Sequence, residues 1–111
     1  MSKRGIKLYI QDINDSIARI GNYIKDLTFD EFVKDDKTID AVIRNLFVIG
    51  EAVRNIPEEV KLKNSDIPWD EIIGMRNKII HEYFGVEEDI LWKTIKEDLP
   101  EFKEKISRLS Y

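Results

Sequence analysis

The sequence contains no cysteine and only one histidine. Without thiols, disulfides and thiolate metal sites are excluded. A lone histidine with no cysteine beside it also gives no zinc signature, so His81-Glu82 is not read as a metal site. No apolar run approaches the ~20 residues needed to span a bilayer. Nothing resembles a secretory leader: Met1-Ser2-Lys3-Arg4 is followed by an amphipathic stretch rather than an unbroken apolar one. The expectation is a cytoplasmic protein with no membrane association. Basic excess is missing too, since the formal net charge is −4. That sign disfavours a bulk nucleic-acid binder. It leaves room for an enzyme that grips one phosphate with a local arginine, and for a partner with a basic surface. Strand alternation, hairpin turns and internal repeats are also absent.

What is present is helical periodicity. The 111 residues are 42% hydrophobic and 36% charged, a mix suited to one helix-rich domain over residues 1–111. A chain this short buries only part of its apolar surface, so a homodimer interface would help to stabilise it. Ile6, Tyr9/Ile10, Ile13, Ile17, Ile20, Ile24 and Leu27 recur at spacings of three and four and predict a first helix over 4–27. Thr28 and Glu31 form a capping-box pattern opening a short helical turn. Residues 34–37 read as a polar break. Ile39, Val42, Ile43, Leu46, Phe47, Ile49 and Val53 predict a helix over 38–55, ended by Pro57. Gly50 inside that helix costs close to 1 kcal/mol against alanine, which close approach of another helix would justify. Pro57 suits the first position of a short helical turn, and Pro68 or Trp69 starts a helix running to about residue 83. Gly85 fits its C-cap. A last element over 86–109 carries Leu91, Ile95, Leu99, Phe102, Ile106 and Leu109, with Pro100 expected to kink or split it. The fold class is all-α: an antiparallel up-and-down bundle of four long helices with short extras.

The chemistry concentrates in residues 76–83. With ~100° per residue, Ile72, Ile73, Met75, Ile79, Ile80 and Phe84 cover an arc of roughly 180° that contains Arg76, with Tyr83 roughly 20° away. Asn77 and His81 are one turn apart at one edge of that arc. An arginine in an apolar stripe needs a partner for its charge. The plain reading is an ion pair with Asp12 or Glu51; for His81 it is a bond to a backbone carbonyl, and for Tyr83 a packed aromatic near a helix end. Together, however, these groups suit phosphodiester chemistry. A guanidinium binds phosphate oxygens in a fork and stabilises the charge of a pentacoordinate transition state. A histidine moves protons near neutral pH. Asn77 would orient the imidazole or the phosphate. Phosphodiester cleavage wants a base for the attacking oxygen and an acid for the leaving one, and one chain offers one histidine. A twofold dimer with this helix at its axis would bring two Arg76 and two His81 to one cleft.

Arg76, His81 and Tyr83 stand in the R-x(4)-H-x-Y pattern of the HEPN-domain ribonucleases, with polar Asn77 right after the arginine. Residues 38–42, 49–52, 67–69, 74–77 and 81–84, with Trp92 and Leu99-Pro100, further resemble the HepT toxin branch. The resemblance implies a HEPN-like helical bundle and the toxin of a two-gene toxin–antitoxin module. It implies metal-independent, cofactor-free RNA cleavage at a cleft between two protomers, leaving a cyclic phosphate. It also implies an MntA-like nucleotidyltransferase antitoxin that transfers AMP to Tyr83 and so silences the nuclease. Two other readings stand beside it. One is a non-catalytic helical subunit that presents substrate or nucleotide to a nucleotidyltransferase; the other is a buried polar network that fixes dimer register.

Overall fold

The computed structural model describes the backbone of residues 3–81 and 87–111, and side chains over 5–78 and 87–111. Its elements are α1 (Lys3–Ile24), α2 (Phe29–Val33), α3 (Asp36–Asn55), α4 (Glu58–Lys63), α5 (Trp69–His81), α6 (Glu88–Lys93), a π-helical turn (Thr94–Asp98) and α7 (Leu99–Ser107). No strand occurs among the described residues, so the architecture is all-α. Helix α1 packs along α3, α3 also packs against α5 and α2, and α1 touches α7. Ile13, Ile20, Phe32, Val42, Leu46, Ile49 and Val53 are the most completely buried apolar side chains, so the α1–α3 seam is the centre of the core. None of the described helices is long and apolar enough to cross a membrane.

Several element ends differ from the sequence expectation, each for a local reason. Helix α1 stops at Ile24, not Leu27, because Asp26 turns into the left-handed region at φ 65°. Aspartate tolerates that conformation through short-range polar contacts. Helix α3 begins at Asp36, inside the expected polar break, because Asp35 caps it. The Thr38 amide donates to Asp35 Oδ1 at 3.1 Å and the Thr38 hydroxyl to Oδ2 at 2.7 Å. Both bonds favour the ionised form, and they hold the Asp35 carboxyl below its ordinary pKa. Pro57 is the N-cap of α4 rather than its first helical residue. Thr28 and Glu31 do form the reciprocal capping box.

The expected four long helices are realised unevenly. Helices α1 and α3 have 22 and 20 residues, whereas α5 has 13 within the described range. The expected last helix is three pieces. Pro100 lacks an N–H and its ring crowds the carbonyl four residues back. The chain answers one turn earlier, where the hydrogen-bond ladder widens and the Leu99 amide donates to the Thr94 carbonyl. The proposed C-cap at Gly85 lies outside the described residues.

Asn64 fixes the start of α5. Its Nδ2 donates to the carbonyls of Val60 and Ser110, both at 2.8 Å, and its Oδ1 accepts from the Ser110 amide at 3.0 Å. Its own carbonyl accepts from Trp69 Nε1 at 3.0 Å. The chain end and the first residue of α5 are thus tied to the end of α4. Pro68 then offers its carbonyl to the Ile72 amide, starting the helix that carries Arg76.

Candidate active site

Arg76 lies where α5 crosses α3, and four features shape its surroundings. Gly50 comes first. A Cβ built at that position would overlap Arg76 Cβ and lie 2.6 Å from its Cγ. The glycine therefore admits the arginine stem to the surface of α3, the close helix approach that its cost in the helix required. One residue on, Glu51 Oε1 accepts from Arg76 Nε and is in ion-pair contact with Nη2. One turn earlier, the Phe47 ring lies under the guanidinium, 5.5 Å from Cζ to ring centre. Phe47, Gly50 and Glu51 stand at i, i+3 and i+4, so one face of α3 provides all three contacts. The fourth feature is the half-buried setting: the Arg76 side chain is 14% exposed and that of Glu51 35%.

On its own helix, Arg76 Nη1 donates to Asn77 Oδ1 at 2.7 Å. A guanidinium has five N–H donors. Among the described residues two are hydrogen-bonded, Nε to Glu51 and one Nη1 hydrogen to Asn77, and Nη2 is in ion-pair contact with Glu51, so each terminal nitrogen keeps a donor. The group is fixed at its stem, face and inner edge, while its tip keeps donors for an oxyanion. Such preorganisation lets charge stabilisation proceed without reordering the site.

Of the two acids expected as partners, Glu51 takes the arginine. Asp12 is an exposed residue of α1 and makes no ion pair with it. Asn77 is exposed, and its Oδ1 accepts from the guanidinium. His81 is the last described residue of α5, five positions beyond Arg76 and so ~7.5 Å further along the axis. Its side chain, and all of Tyr83, lie outside the described residues. Phe47 was missed by the sequence reading, which counted it only as part of an apolar stripe. Its place one turn before Gly50-Glu51 was the available signal.

Comparison with known proteins gives this constellation a family. The family model described as Ribonuclease HepT-like matches residues 13–109. The chain belongs to the HepT-like ribonuclease family. A HepT-like relative named "Probable ribonuclease HepT", from Thermococcus cleftensis, is 47% identical over 107 residues, covering 96% of this chain and 97% of the relative. Two further HepT-like relatives carry the name "Putative RNase". One, from Caldanaerobacter subterraneus subsp. tengcongensis, is 42% identical over 91% of this chain and 90% of its own length. The other, from Methanocaldococcus jannaschii, is 41% identical over 96% and 97%. No solved structure is a significant match.

Proposed function

We propose that this HepT-like chain is a metal-independent endoribonuclease whose cleft forms between two protomers. The carrying observation is the guanidinium of Arg76, held on α3 by Gly50, Phe47 and Glu51 with a donor free on each terminal nitrogen. Those donors bind the non-bridging oxygens of the scissile phosphate and stabilise the added charge when phosphorus becomes pentacoordinate. The 2′-hydroxyl of the preceding ribose attacks that phosphorus. Its proton passes to one His81, and the 5′-oxygen of the next nucleotide leaves with a proton from the partner subunit's His81. The products are a 2′,3′-cyclic phosphate and a 5′-hydroxyl. No water or metal enters the balance. Asn77 fixes the orientation of the guanidinium.

Substituting His81→Ala is expected to lower RNA cleavage by about 10²–10⁴-fold, the usual contribution of a positioned acid–base group. Oligomeric state and RNA affinity should be retained. The check is gel-resolved cleavage of labelled RNAs with 2′,3′-cyclic ends verified by mass. If the purified wild-type chain leaves a varied RNA set intact, the nuclease reading is wrong.

The same reading makes the chain the toxin of a toxin–antitoxin module, with a nucleotidyltransferase antitoxin as partner. In that reaction the Tyr83 phenol attacks the α-phosphorus of ATP, the tyrosine gains AMP and pyrophosphate leaves. A phosphodiester at Tyr83, seven residues from Arg76 in the sequence, would compete for the guanidinium. Tyr83→Phe should cut RNA normally yet gain no AMP mass when incubated with the partner and ATP. AMP addition at the wild-type level in that variant would move the modification elsewhere.

A further inference from the structure

Arg76 is one cation on a face that holds others. Helix α3 turns ~100° per residue, so Arg44, Phe47, Glu51 and Arg54 share a sector of roughly 80°. Arg44 lies seven residues before Glu51 and Arg54 three after it, ~10.5 Å and ~4.5 Å along the axis. The Arg76 guanidinium sits over the stretch between them, on Phe47 and Glu51. Both outer arginines are exposed. Neither makes an ion pair or hydrogen bond among the described residues, unlike Lys93, Lys105 and Arg108, which are paired with acids. Arg54 is in the last turn of α3, where the helix dipole favours a cation. Arg44, in mid-helix, has no such reason to be there. Asp36 and Asp40 share this sector but lie before Arg44, toward the helix start, and between Arg44 and Arg54 its one acid is Glu51, which Arg76 neutralises. The stretch from Arg44 to Arg54 is therefore basic in a chain whose net charge is −4.

We infer that this face of α3 is a track for the RNA backbone, with Arg44 and Arg54 binding phosphates on either side of the one held by Arg76. The inference rests on the ribonuclease reading and names how that site takes its substrate: as a single strand laid along α3, held by its phosphates and not by its bases. Arginine suits the task because its planar fork matches phosphate oxygens. The arrangement also answers the objection from charge. An acidic protein binds a polyanion when its cations are gathered on one line and the carboxylate between them is neutralised.

The test measures binding apart from cleavage. A fluorescent single-stranded RNA with 2′-O-methyl groups throughout has no free nucleophile, so wild-type protein binds it without cutting. In Arg44→Gln/Arg54→Gln, affinity at low salt should fall about tenfold or more, as expected for loss of charge-assisted phosphate contacts. The slope of log K against log salt should become shallower by roughly 1.4, at about 0.7 per lost single-strand contact. Lys103→Gln/Arg108→Gln removes the same charge from exposed positions in the middle of α7 and just beyond its end and should change neither quantity. Cleavage of a dinucleotide, too short to reach the track, should stay at the wild-type rate in the Arg44/Arg54 variant, whereas kcat/KM on long RNA falls. Unchanged affinity and slope would overturn the track and leave the face to an acidic protein partner. So would an equal loss in the α7 control, which would reduce the effect to net charge. Failure of the nuclease reading is seen separately, as an unmodified RNA of the same sequence that wild-type protein binds but does not cut.

Discussion

Replacing Arg76 by lysine is expected to lower kcat for RNA cleavage by about 10²–10³-fold while leaving the fold in place, the scale seen when a preorganised donor to a developing oxyanion is removed. The substitution keeps the charge and most of the stem. What it removes is the fork. Lysine carries one compact ammonium with three donors, so it cannot bond Glu51, Asn77 and a phosphate through separate, fixed nitrogens. Its ammonium can still pair with Glu51, which is half-buried and would be costly to leave without a cation. The stability change should therefore stay within about 1 kcal/mol, the range of partly exposed ion pairs. That contrast separates two accounts of the same contacts. If the Arg76–Glu51 pair serves only to fix packing or dimer register, activity and unfolding midpoint fall together. If it holds a catalytic donor, activity falls alone. Single-turnover cleavage beside urea unfolding decides between them. An Arg76→Lys protein that cuts within about tenfold of the wild-type rate would remove Arg76 from the chemistry.

The sequence carried the fold class and the side of α5 on which Arg76 lies, because both depend on periodicity within one helix. Ile13, Ile17 and Ile20 are buried as their spacing demands, and so are Val42, Leu46 and Val53. What one helix cannot encode is the azimuth and register of its neighbour. Asp12 and Glu51 are equal candidates for the arginine until α3 is packed on α5: Glu51 follows the glycine that lets α5 in. Phe47 stays hidden for the same reason, since an aromatic in an apolar stripe gives no sign that a cation will lie on it. The end of α1 departs from expectation on local backbone grounds, and the C-terminal element, expected to kink or split at Pro100, does split, one turn before it. Asp26 at positive φ and the π turn before Pro100 are responses to residues that periodicity does not weigh.

The sharpest stability prediction concerns Gly50, where two ordinary rules have opposite signs. Alanine is a better helix former than glycine by about 1 kcal/mol, so Gly→Ala within a helix usually stabilises. Gly21 and Gly74 are the matched cases: both are helical, and a Cβ at either would meet nothing within 4 Å. Alanine at either position should raise stability by up to about 1 kcal/mol. At Gly50 the added methyl would overlap Arg76 Cβ and lie 2.6 Å from Cγ. A Cβ is fixed by its backbone and cannot rotate away, so one helix must move. Overpacking of this kind costs about 1–3 kcal/mol, and an overlap with backbone-fixed atoms belongs at the upper end. Set against the propensity gain, Gly50→Ala should lose roughly 2 kcal/mol net. It should also lose activity beyond what stability explains, because a displacement of about 1 Å at the guanidinium costs up to ~10²-fold in rate. Urea unfolding of the three alanine variants, with cleavage assayed well below each midpoint, gives the comparison. If Gly50→Ala is stabilised like the other two and cleaves normally, α3 and α5 are not in close contact at Arg76, and the guanidinium is not held by Phe47 and Glu51.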